Sequence, residues 1–200
     1  MPKGRLEAFT DGVIAIIITI MVLELKAPAG HDLAALQASL PILLVYVLSY
    51  VNVGIYWNNH HHLLHAGERV NGKVLWVNLF LLFWLTLVPF VIRWMDESGF
   101  TPLPTAAYGV VLAMAAIAYF WLQWSIADCN GPESIIRAAI GKDQKGKLSL
   151  ILYIAAIPLA FVSPWISIAL YVAVSLMWFI PDRRIERFTG GPESQAKDTP

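Results

Sequence analysis

His60, His61, His62 and His65 are the residues whose types and spacing first suggest chemistry. His61 and His65 stand four apart, so on a helix they share one face and have the spacing of a paired metal ligand. A metal or haem site needs further ligands. His31 falls on the opposite side of the topology derived below, and Cys129, which reaches the same side, is a lone thiol. The cluster therefore reads as interfacial or network histidines, with no metal assigned to it.

Asp11 is the second such group, an acid at the start of an apolar run. A carboxylate at the centre of a membrane helix costs about 2.5–3.5 kcal/mol, and less near the interface, so it demands partners. Arg5, His60 or His61, Trp57 and Asn78 all fall on its side of the expected topology and form its candidate network. Packing and gating suit such a network equally well. Catalytic motifs are missing: there is no Gly-rich phosphate loop, no nucleophile elbow and no H-E-x-x-H helix. The chain thus points away from an enzyme. It also lacks the T-V-G-Y-G carbonyl filter, and Asn52-Val53-Gly54-Ile55-Tyr56 is not a substitute.

The elements that must position these residues are membrane helices. Only 14% of the residues are charged and 58% are hydrophobic, with a mean hydropathy of +0.61; a soluble domain carries about 25% charge. The runs 33–59, 74–92, 101–127 and 148–181 hold no Asp, Glu, Lys or Arg. About 20 such residues cross the hydrocarbon of a bilayer. The reading is an all-α integral membrane protein of six transmembrane helices, at 9–25, 36–58, 74–94, 105–126, 148–162 and 164–180. The last run is too long for one crossing and is expected to fold back at Ser163-Pro164. These spans form one domain, 1–188, and the polar stretch 189–200 reads as a disordered tail. A formal net charge of zero argues against a nucleic-acid partner.

Orientation follows from the basic residues. With the N-terminus cytoplasmic, Lys3, Arg5, Arg69, Lys73, Arg137, Lys142, Lys145, Lys147, Arg183, Arg184, Arg187 and Lys197 lie inside, and only Lys26 and Arg93 lie outside. That asymmetry needs an even number of spans and predicts a multi-pass cell-membrane protein with both termini cytoplasmic. Lys3, Arg5 and Ala27-Pro28-Ala29 imitate a secretory leader with its cleavage site. Pro28, together with Asp11 and Glu24 at the ends of the apolar run, argues against cleavage.

The first helix carries a pattern of its own. At 100° per residue, Ile16, Ile20 and Leu23 form a narrow aliphatic stripe, with Thr19 at its edge and Glu24 near its outer end. Asp11 points to the opposite side. Lipid contact or helix packing would produce such a stripe, as would the lining of a pore.

Arg5-Leu6-Glu7-Ala8-Phe9-Thr10-Asp11-Gly12 resembles the R-x-x-x-F-S-D signature of the transmembrane-protein-175 potassium channels, in particular their bacterial branch. Tyr56-Trp57-Asn58-Asn59-His60-His61 and Leu75-Trp76-Val77-Asn78-Leu79 resemble that branch as well, so the likeness covers about the first half of the chain. Thr10 departs from the usual Ser but keeps the hydroxyl. The resemblance implies a homotetramer whose pore is lined by the first helix of each subunit, conducting potassium without the usual filter or any cofactor. Carried over by position, Ile16 becomes the main constriction, Ile20 and Leu23 further rings and Thr19 a hydroxyl layer. Glu24 would sit at the outer mouth, and Arg5, Phe9, Thr10, Asp11, Trp57, His60, His61 and Asn78 would brace the pore helix. The competing expectation is a proton-coupled cation carrier that uses Asp11 as its protonatable site.

Overall fold

The computed structural model describes residues 3–134, 136, 137, 140 and 143–179. The helices are α1 (Lys3–Leu23), α2 (Leu33–Ala38), α3 (Leu40–Ala66), α4 (Gly72–Thr86), α5 (Val88–Glu97), α6 (Pro102–Asn130), α7 (Gln144–Leu159) and α8 (Pro164–Phe179). No strand occurs among the described residues. The expected tail, 189–200, lies outside them, as do Lys142, Arg183, Arg184, Arg187 and Lys197.

Local chemistry explains where these helices begin and break. Asp32, Asn71 and Asp143 cap α2, α4 and α7, each accepting a backbone N–H three residues on at 2.9, 3.0 and 2.9 Å. Pro41 lacks the N–H that would continue α2, so the chain starts α3 there instead of running one helix through the whole expected second span. Pro89 does the same within the expected third span: the ladder slips at Leu87, and α4 passes into α5. At the other end α3 runs past the expected limit, through the histidines to Ala66, because no breaker intervenes before Gly67.

Among the described residues, four segments are long and apolar enough to cross a bilayer: Lys3–Leu23, Leu40–Ala66, Gly72–Glu97 (α4 with α5) and Pro102–Asn130. With α7 and α8 each only 16 residues long, the pair falls below that length, at about 24 Å per helix against about 30 Å of hydrocarbon. Trp178 donates to Ser149 (2.7 Å) and Ser167 to the Ala156 carbonyl (2.6 Å), which sets α7 and α8 antiparallel. The chain turns between α7 and α8 ahead of Pro164.

Helix α6 lies at the centre, packed against α4, α5, α7 and α8, whereas α1 lies at the edge against α3, α4 and α5. Polar side chains tie the bundle in its apolar interior. Ser49 bonds Tyr108 (2.8 Å), Asn52 donates to Tyr153 (3.1 Å), and Tyr171 donates to the Thr105 carbonyl (3.0 Å). The outside is apolar too: Trp76, Phe83, Phe90, Leu103, Ile151 and Val162 are all exposed. A helical bundle that is hydrophobic inside and out belongs in lipid. Charges gather at its two ends. Lys3 (bonded to the Gly67 carbonyl), Lys73, Asp128 and Arg137 share one end, while Glu24, Lys26, Arg93 and Glu97 share the other.

Candidate functional site: the first helix and its polar grip

Helix α1 has two unlike faces. Leu6, Thr10, Ile14, Ile17 and Met21 recur every three or four residues and are buried against its neighbours. On the other side Phe9, Ile16, Ile20 and Leu23 are 51%, 58%, 41% and 79% exposed. Gly12 lies in the same row, where an added Cβ meets nothing within 4 Å. Thr19 is exposed there, its hydroxyl directed to the carbonyls of Ile16 (2.8 Å) and Ala15 (3.1 Å). With its proton so engaged, its oxygen lone pairs remain available to an incoming donor or cation.

Three polar links hold the buried side. Asn78 donates through Nδ2 to Thr10 Oγ1 (2.9 Å), and its Oδ1 lies 2.8 Å from His60 Nε2. That oxygen only accepts, so His60 carries its proton on Nε2. All three residues are fully buried and join α1, α4 and α3. Trp57 Nε1 donates to Asp11 Oδ1 at 2.9 Å. Glu7 Oε1 lies 3.1 Å from His61 Nδ1 and 3.7 Å from His65 Nδ1.

These distances redistribute the partners expected for Asp11. Trp57 is its partner, while Asn78 serves Thr10 and is itself bonded to His60, and His61 serves Glu7. Arg5 is exposed, and among the described residues it joins none of these links. Phe9 stands on the outward row rather than among the braces. Sequence reasoning missed Glu7 as the residue that meets His61 and His65. The signal was present, since Glu7 lies one turn before Asp11 and shares its side of α1.

At the Leu23 end of α1, Glu24 pairs with Arg93 (3.3 Å), Arg93 with Glu97 (3.1 Å) and Glu97 with Lys26 (3.2 Å). Glu24 is therefore one of four charges that sum to zero. A cavity of about 300 Å³ lies elsewhere, lined by Asn52, Tyr56, Gln123 and Tyr153 and by no residue of α1. Ile20 of the outward row, with Glu24, Phe90 and Arg93, lines a separate, open groove of about 570 Å³.

Residues 5–89, which hold all but the first two residues of α1 and all three links, match the family Endosomal/lysosomal potassium channel TMEM175. A potassium channel of Chryseobacterium sp. (strain P1-3) is 52% identical over 187 residues, covering 94% of this chain and 97% of that one. The chain belongs to the TMEM175 family. The crystal structure of a lysosomal potassium-selective channel TMEM175 homolog from Chamaesiphon minutus superposes with a TM-score of 0.74 at 26% identity, covering 88% of this chain and 96% of that one. Human TMEM175, named an endosomal/lysosomal proton channel, is 35% identical over 96 residues, 42% of this chain and 19% of its own length. TMEM175 proteins are ion channels rather than enzymes, and this member is a multi-pass membrane protein. The TMEM175 match covers the segments in which α1 packs against α3 and α4.

Proposed function

We propose that four copies of this chain surround a central pore lined by α1 and conduct potassium passively. The observation that carries this reading is the outward row of α1. Ile16, Ile20 and Leu23 lie exposed on the helix whose opposite face is buried core. Four such rows around one axis form stacked aliphatic rings, with Ile16 the main constriction and Ile20 and Leu23 further rings. A dry, narrow ring of this kind closes by excluding water. Thr19 adds a hydroxyl layer able to replace part of an ion's hydration shell. The grip of Glu7, Thr10 and Asp11 on α3 and α4 holds each α1 at a fixed rotation, so the rings stay in register. The names of the bacterial relatives support potassium as the permeant ion. The charge clusters at the two ends support six crossings, α7 and α8 completing the bundle as short spans and leaving both termini cytoplasmic.

The deciding experiment uses purified protein in liposomes, with Cys129→Ser removing the only native thiol. Ile16→Cys should make potassium flux sensitive to silver or cadmium ions, because four thiolates meet at one point. Exposed Leu176, on α8, gives the control: Leu176→Cys should be indifferent. Block at Leu176→Cys with none at Ile16→Cys ends the pore reading of α1.

The proton-channel name of the vertebrate relatives favours a second reading, permeation of protons by the same route. Proton flux measured in the same liposomes, with and without a potassium gradient, separates passive proton passage from a proton-coupled carrier.

A further inference from the structure

We infer that Glu7, His61 and His65 form a binding site for a divalent transition-metal ion of the zinc class, bridging α1 and α3. The sequence alone offers two histidines one turn apart and no third ligand within reach. Folding supplies it: Glu7 of α1 is set against that turn of α3, and the three ligand atoms lie within 4.8 Å of one another. Glu7 Oε1 is 3.1 Å from His61 Nδ1 and 3.7 Å from His65 Nδ1. Two ligands of a tetrahedral zinc ion stand about 3.4 Å apart, so little movement is needed to admit the metal. Two imidazoles and one carboxylate suit zinc, cobalt or nickel and not calcium or magnesium, which want a cage of oxygens. Water would complete the coordination.

The site is reachable from solvent: the side chains of Glu7, His61 and His65 are 22%, 40% and 56% exposed. Its surroundings are built. Trp57 stacks on His61 with ring centres 6.1 Å apart, and the same Trp57 holds Asp11. The rings of His61 and His65 are 4.2 Å apart. Without metal, His65 Nδ1 lies 3.2 Å from the His61 carbonyl. On binding, that hydrogen bond and the Glu7–His61 hydrogen bond give way to metal–ligand bonds. Each imidazole then coordinates through a nitrogen bearing no proton. Because Glu7 belongs to α1, a bound ion ties the Lys3 end of that helix to α3. Only this last consequence, an effect on ion flux, rests on the proposed pore.

The test titrates cobalt, then zinc in competition, into the full chain purified in detergent through a tag without histidine. The wild type should take up one cobalt per chain with the intense visible absorption of a tetrahedral site. Glu7→Gln and His65→Gln should each weaken uptake about tenfold or more, and His62→Gln, one residue from the site, should not. Melting curves in chelator verify that the variants are folded; His65, the most exposed ligand, remains informative if Glu7→Gln is unstable. Uptake that is absent, indifferent to Glu7 and His65, or lost with His62 overturns the site. In liposomes, zinc at the Lys3 end should change wild-type potassium flux and leave that of His65→Gln unchanged. Binding without any change in flux overturns the tie to α1 alone, and failure of flux in every variant counts against the pore reading instead.

Discussion

Asn78 reaches Thr10 across the interface of α4 and α1, amide nitrogen to hydroxyl oxygen at 2.9 Å, with both side chains fully buried. The same amide engages His60 of α3 at 2.8 Å, so one residue holds three helices. Asn78→Leu should remove both bonds and leave buried partners unsatisfied, each costing about 1–3 kcal/mol. Thr10→Ser keeps the hydroxyl and should melt close to the wild type, while Thr10→Val should lose stability. Thermal melts of the detergent-solubilised protein read this directly, and equal melting of Thr10→Val and the wild type would remove the link from the account of stability.

Asp11 separates the channel from the carrier. Its Oδ1 accepts from Trp57, and an amide oxygen can do the same. Asp11→Asn should therefore retain potassium flux, with stability within about 1 kcal/mol of the wild type, whereas Asp11→Ala loses the acceptor. A carrier that moves protons on Asp11 would instead be silenced by Asp11→Asn. Liposome flux with an imposed proton gradient distinguishes the two.

At the Leu23 end of α1, which the proposed topology places outside, Arg93 compensates Glu24 and Glu97. Arg93→Gln leaves one uncompensated negative charge per chain. Cation entry should then rise at about 0.01 M salt, where screening reaches about 30 Å, and the gain should shrink at about 0.15 M, where it reaches about 8 Å. Conductance measured at the two ionic strengths checks this; a gain independent of salt contradicts an electrostatic origin.

Gly109 is where α6 admits α8. A Cβ at that position would overlap the Tyr171 hydroxyl, which donates to the Thr105 carbonyl at 3.0 Å. Gly109→Ala should cost about 1–3 kcal/mol through overpacking. Adding Tyr171→Phe removes the colliding hydroxyl and should recover part of that loss, so the double variant melts above the sum of the single effects. Strict additivity would mean that the two residues do not meet as described.

Topology has its own test. Reporter fusions after Glu133 and after Arg187 should read cytoplasmic, and one after Gly99, between α5 and α6, should read external. A cytoplasmic signal at Gly99 rules out the proposed six-span arrangement.

Membrane residence and the all-helical class were legible in the chain itself, because continuous apolar runs of about 20 residues suit helices, which satisfy their own backbone hydrogen bonds in hydrocarbon. The two faces of α1 were legible too: a period of 3.6 residues is local, and Ile16, Ile20 and Leu23 separate from Ile14, Ile17 and Met21 without knowledge of any neighbour. Which polar residue meets which was a different matter. Asp11, Thr10 and Glu7 all turn toward α3 and α4, and only the register of those helices against α1 hands Trp57 to Asp11, Asn78 to Thr10 and His61 to Glu7. The breaks at Ser39 and Leu87 lie two residues before Pro41 and Pro89, both visible in the sequence. The third ligand beside His61 and His65 lies more than fifty residues earlier in the chain. Spacing along one helix reveals shared faces; contact between helices is decided by packing, and packing is a property of the folded chain alone.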